Sequence, residues 1–101
     1  MPTATASYQT ENGRRYLIQL CKHFAHKIDV EYDAEHGGNG RCSFGPAAAK
    51  MSADDTGIRF ALSAPDEESL DRGKGVIESH LVRFAFREKL ERLDWKSAEP
   101  A

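Results

Sequence analysis

Leu20-Cys21-Lys22-His23-Phe24-Ala25-His26-Lys27-Ile28-Asp29-Val30-Glu31-Tyr32-Asp33 is the stretch in which the hydrophobic period of this chain changes, and that change decides the fold. Leu17, Leu20, Cys21, Phe24 and Ile28 recur at helical spacing, so at about 100° per residue they share one face. Arg15, Gln19, Lys22 and His26 fall on the opposite face. From Ile28 onward the period is two. Ile28, Val30 and Tyr32 alternate with Asp29, Glu31 and Asp33, the pattern of a half-buried strand. An amphipathic helix therefore runs directly into a sheet.

Working outward, Ala4-Thr5-Ala6-Ser7-Tyr8 alternates as a short first strand, and Thr10 or Asn12 can cap the helix that follows. Beyond Tyr32, Gly37-Gly38-Asn39-Gly40 reads as a hairpin turn, because glycine and asparagine tolerate positive φ. Cys42 and Phe44 alternate in a next strand that Gly45-Pro46 breaks, and Ala47, Ala49, Met51 and Ala53 form a small-residue strand. Asp54-Asp55-Thr56-Gly57 turns the chain into Ile58, Phe60 and Leu62. Short turns between successive strands predict an antiparallel meander.

A second helix follows. Pro65 suits its first turn, and Asp66, Glu67 and Glu68 suit the positive end of its dipole. Leu70, Ile77, Leu81 and Phe84 make the inner stripe, and Arg83, Arg87 and Lys89 complement the negative end. Gly73 falls on the inner face, where a missing side chain permits close packing on the sheet or leaves a notch for a ligand. Leu93 and Trp95 alternate with Asp94 and Lys96, hinting at a last short strand. The reading is one α+β domain over residues 1–96 with a frayed tail at 97–101, in the order β-α-β-β-β-β-α(-β). Both helices pack on one face of an antiparallel sheet. The order is similar to the TATA-binding-protein-like and helix-grip arrangements, which host unrelated functions.

Composition narrows the classes. A chain of 101 residues, 40% apolar and 30% charged, makes one globular core. A net charge of −2 supplies no general attraction for nucleic acid or an anionic membrane surface. No apolar run approaches the roughly 20 residues of a membrane span. Met1-Pro2-Thr3-Ala4-Thr5-Ala6 lacks the basic start and apolar run of an export signal. Cys21 and Cys42 are accordingly expected to be reduced thiols in a cytoplasmic protein.

Residues 20–27, the Phe44-Gly45 break, and His80-Leu81-Val82-Arg83-Phe84-Ala85-Phe86-Arg87-Glu88 followed by Leu93-Asp94-Trp95 together resemble the bacterial DUF2218 family. The resemblance spans roughly residues 4–96, and the run from Arg83 to Glu88 is its most specific part. Family members occur as small free-standing proteins and also attached to siderophore-interacting flavoproteins. The resemblance therefore implies an iron-related context, and it supplies no active site to carry over.

The residues themselves nominate two surfaces. His80, Arg83 and Arg87 sit at i, i+3 and i+7 along one edge of the second helix, and His23, Lys27 and Tyr16 line the first helix in the same way. Guanidinium forks beside imidazoles can hold an anionic ligand. The ordinary alternative pairs these arginines with Glu31, Glu88 or Glu91. Val82 and Phe86, on the outer side of the second helix, are the candidate interaction patch for self-association or for docking on a flavoprotein reductase.

Cys21, His23, His26, His36, Cys42 and His80 could ligate metal, but no Cys-x-x-Cys or His-Glu-x-x-His spacing gathers them. No glycine-rich phosphate loop is present, because the Gly37 to Gly40 run precedes a strand instead of a helix, and no cofactor is expected. The expectation is a non-catalytic module that binds a small anionic ligand.

Overall fold

The computed structural model describes residues 2–33, 35–85, 88, 90, 93 and 95–97. The elements are β1 (Thr3–Gln9), α1 (Gly13–Phe24), β2 (Val30–Tyr32), β3 (Asn39–Phe44), β4 (Ala47–Asp54), β5 (Gly57–Ser63), α2 (Glu67–Phe84) and β6 (Lys96–Ser97). Among the described residues the strands form one antiparallel sheet of six, in the spatial order β2-β3-β4-β5-β1-β6. Four consecutive strands make the meander, and β1 closes on its far side against β5.

Register explains the two faces. Along one cross-strand row, Tyr32, Gly40, Met51, Phe60 and Ala6 are partners in turn. The next row on the same face runs Val30, Cys42, Ala49, Leu62 and Ala4. Except for the half-buried Val30 and Tyr32, these residues are all buried. Side chains alternate across a strand, so the intervening row, Glu31, Arg41, Lys50, Ala61 and Thr5, lies on the opposite face and is exposed.

Both helices lie on the buried face, α1 over β2 to β5 and α2 over β4 and β5, and they touch each other. Leu17, Leu20, Ile58, Ile77 and Leu81 are completely buried between these layers. Small residues set the approach. A Cβ on Gly73 would sit 2.9 Å from Leu62 Cδ2, so the glycine lets α2 rest on β5. Near the start of α1, a Cβ on Gly13 would collide with the Gly57 carbonyl, and one on Gly57 would lie 2.5 Å from the Tyr8 carbonyl. The end of β1 and the starts of α1 and β5 are thereby pressed together.

Several boundaries differ from the sequence reading. The first helix stops at Phe24, because His26 N–H and Lys27 N–H reach back three residues, to the carbonyls of His23 and Phe24. Ile28 is half-buried in the link and β2 begins at Val30. Asn12 is the N-cap of α1 but caps without its side chain; Thr10 Oγ1 instead accepts from Asn12 N–H at 3.1 Å. Pro65 precedes the second helix instead of entering its first turn, and Asp66 caps it by accepting from Ser69 N–H at 2.7 Å. Ser97, expected to open the frayed tail, pairs with Ala4 in β6. Residues 98–101 lie outside the described residues. Among the described residues no helix is long and apolar enough to cross a membrane.

Candidate functional site

The aromatic seam between the two helices brings His23 and His80 together. Their ring centroids are 4.6 Å apart with the planes tilted by 46°. Phe24 lies edge-on to His80 at 5.2 Å and to Phe44 at 5.1 Å, while Phe84 meets the edge of His23 at 6.2 Å. The seam forms because His23 precedes the buried Phe24 on α1 and His80 precedes the buried Leu81 on α2, so each imidazole sits at the rim of its apolar face. His80 Nδ1 lies 2.6 Å from the Val76 carbonyl, which can only accept, so Nδ1 carries the proton. The other ring nitrogen, Nε2, is then the acceptor of the neutral ring.

Four basic groups act on His23. Partial desolvation at the seam holds its imidazole below the ordinary value of 6.5, and the charges of His80, Lys27, His26 and Arg83 push it down further. Among the described residues, no carboxylate lies within ion-pair distance of His23, Lys27, His80 or Arg83. Lys27 reaches this edge from the turn after α1, not from the helix itself.

Tyr16 belongs elsewhere. It is 3% exposed, and its hydroxyl donates to Glu88 Oε2, away from the His23 edge. Thr10 Oγ1 donates to Glu88 Oε1 at 2.7 Å, Tyr8 to the same oxygen at 3.0 Å, and Asn12 Nδ2 to Oε2 at 3.2 Å. Burial pushes the Glu88 carboxyl up, but the hydrogen bonds from Tyr16, Thr10, Asn12 and Tyr8 together outweigh it and hold the group below its ordinary range. Burial and the same carboxylate push the Tyr16 phenol up to about 12. Glu88 thus accepts from hydroxyl and amide donors of β1, α1 and the turn between them, and among the described residues no arginine pairs with it. No sequence signal links it to donors 72–80 residues away.

Val82 is half-buried, and Phe86 and Arg87 lie outside the described residues. Cys21 and Cys42 are free, buried thiols; burial pushes Cys21 up to about 11 and Cys42, with Cys21 beside it, to about 12. Asp54 spends Oδ1 on Thr56 and Gly57 and Oδ2 on Arg59, which makes the Asp54-Asp55 pair an ordinary turn. Among the described residues, no three His, Cys, Asp or Glu side chains gather in a geometry suited to a metal ion.

The solved NMR structure of PA4090 from Pseudomonas aeruginosa is similar to this chain, with 35% identity and a TM-score of 0.80, covering 99% of this chain and 100% of that one. No curated protein matches. The family model described as an uncharacterized protein conserved in bacteria matches residues 5–96, and the chain belongs to that family, DUF2218.

Proposed function

We propose that this domain is a non-catalytic module that binds a small anionic ligand at the edge formed by His23, Lys27, His80 and Arg83. The observation that carries the reading is the 4.6 Å approach of two imidazoles from different helices, with further basic groups acting on the same ring. Such a cluster is self-repelling, and an anion seated on it turns the repulsion into attraction. An imidazole, an ammonium and a planar guanidinium offer donors in different directions, which suits a carboxylate, sulfate or phosphate group.

The absence of catalysis is part of the proposal. Both thiols are buried and pushed far above neutral pH, so neither is an activated nucleophile. The family's association with siderophore-interacting flavoproteins extends the reading to iron handling, with carboxylate or catecholate chelators as the ligand class.

Isothermal titration calorimetry with sulfate, citrate and a ferric catecholate chelate tests the reading. Replacing Arg83 or His23 by alanine is expected to weaken the best of these by about tenfold, the effect of losing one charge-assisted contact. Equal affinity in wild type and a His23→Ala/Arg83→Ala double variant would overturn the site. A dimer without anion binding in the same samples would favour the second reading, self-association or reductase docking that includes Val82.

A further inference from the structure

The sheet face turned away from the helices carries a basin that the sequence reading did not nominate. On that face one cross-strand row runs Lys50 on β4, Ala61 on β5, Thr5 on β1 and Lys96 on β6. The two long cationic side chains flank two small ones. At about 4.8 Å between neighbouring strands, the lysine backbones are roughly 14 Å apart. In the adjoining row Arg59 is paired with Ser7. These residues line a shallow cavity of about 460 Å³, within the range of small-molecule sites.

Charge distinguishes this basin from an ordinary solvated face. Arg59 donates from Nη2 to Asp54 at 2.7 Å, and Arg41, one strand beyond Lys50, donates to Glu31 at 2.5 Å. Asp54 and Glu31 are thereby used, while Asp29 and Asp33 border the neighbouring cavities that Lys50 also lines. Among the described residues, Lys50 and Lys96 have no carboxylate within ion-pair distance. Two ammonium groups on flexible stems, with no carboxylate partner among the described residues, thus border a floor of hydroxyl and methyl groups.

We propose that this face binds an organic phosphate, with the phosphate between Lys50 and Lys96 and the organic part over Ala61. The lysine stems are long enough to bring both ammonium groups onto one anion. Thr5 and Ser7 hydroxyls add donors from the floor, and Arg59 keeps the guanidinium N–H groups that Asp54 does not use. A phosphate accepts from several directions at once, so it suits this spread of donors better than a planar carboxylate does.

The site lies on the opposite side of the sheet from the His23–His80 edge, so the two can be tested separately. The probe is phenyl phosphate, with inorganic phosphate as the control for the organic part, titrated into the whole protein and followed by amide NMR. Shifts are expected at Thr5, Ser7, Lys50 and Ala61, with phenyl phosphate binding more tightly than inorganic phosphate. A Lys50→Met/Lys96→Met double variant, checked for folding by its amide spectrum, is expected to bind at least about tenfold more weakly. In that variant, sulfate titration of the His23 and His80 imidazole signals should be unchanged. Unaltered affinity in the double variant, or shifts confined to the helix edge, would overturn the proposal.

Discussion

His23 on α1 and His80 on α2 hold their rings 4.6 Å apart, and each reaches the seam from the rim of a buried helix face. The contact therefore depends on how the helices pack and also sets the electrostatics of the edge. Desolvation, then the charges of His80, Lys27, His26 and Arg83, hold the His23 imidazole low, so its protonation is harder in the folded protein than in the unfolded chain.

Stability should consequently fall in two stages on acidification. A base with a lowered folded value keeps its full contribution above the ordinary histidine range and loses it as pH falls through the folded value. Glu88, Asp33 and Asp66 are carboxyls with lowered values, so their contribution is present above the ordinary carboxylate range and lost as pH falls through their folded values. Urea denaturation at a series of pH values should show both stages, and His23→Gln should remove only the first.

Glu88→Ala should be among the costlier single changes. It leaves the buried Tyr16 and Thr10 hydroxyls without their acceptor, a loss of about 1–3 kcal/mol. For a domain of this size that lowers Tm by roughly 4–8 °C per kcal/mol. Glu88→Gln keeps an acceptor oxygen and should lose less. Thermal melts that rank glutamine at or below alanine would contradict the donor arrangement.

The two glycines inside α2 should respond differently to alanine. Nothing lies within 4 Å of a Cβ on Gly75, so Gly75→Ala should stabilise by about 1 kcal/mol through helix propensity. On Gly73 the same atom meets Leu62 at 2.9 Å, in a fully packed layer, and overpacking there costs about 1–3 kcal/mol. Gly73→Ala should therefore be neutral to destabilising, as denaturation midpoints would report.

Cys21 and Cys42 should resist thiol reagents in the native protein. Their thiols are buried and pushed up to about 11 and about 12, so little thiolate forms near neutral pH. A disulfide-exchange reagent should modify both quickly in denaturant and slowly without it. Fast native labelling would place a thiol at the surface.

Much of the architecture was legible because periodicity reports which face is buried. The switch near Ile28, the alanines of β4 and the stripe from Leu70 to Phe84 each mark their element, whereas the meeting of His23 with His80 depends on how the two helices pack. Boundaries were less legible, since Pro65 and Thr10 satisfy more than one local role and packing selects among them. Tyr16 illustrates a deeper limit. Its spacing puts it on the same helix as His23, but its hydroxyl is committed to Glu88 from the other end of the chain. The Lys50–Lys96 basin requires the register of β4, β5, β1 and β6, which no single segment encodes.

The most direct measurement is the titration of the His23 and His80 imidazoles by NMR with and without sulfate, an anion that does not itself titrate in this window, at matched ionic strength. Anion binding at the helix edge requires the His23 value to start below 6.5 and rise as sulfate saturates the site, with His80 signals shifting in parallel. Identical His23 titrations in the two conditions would contradict it.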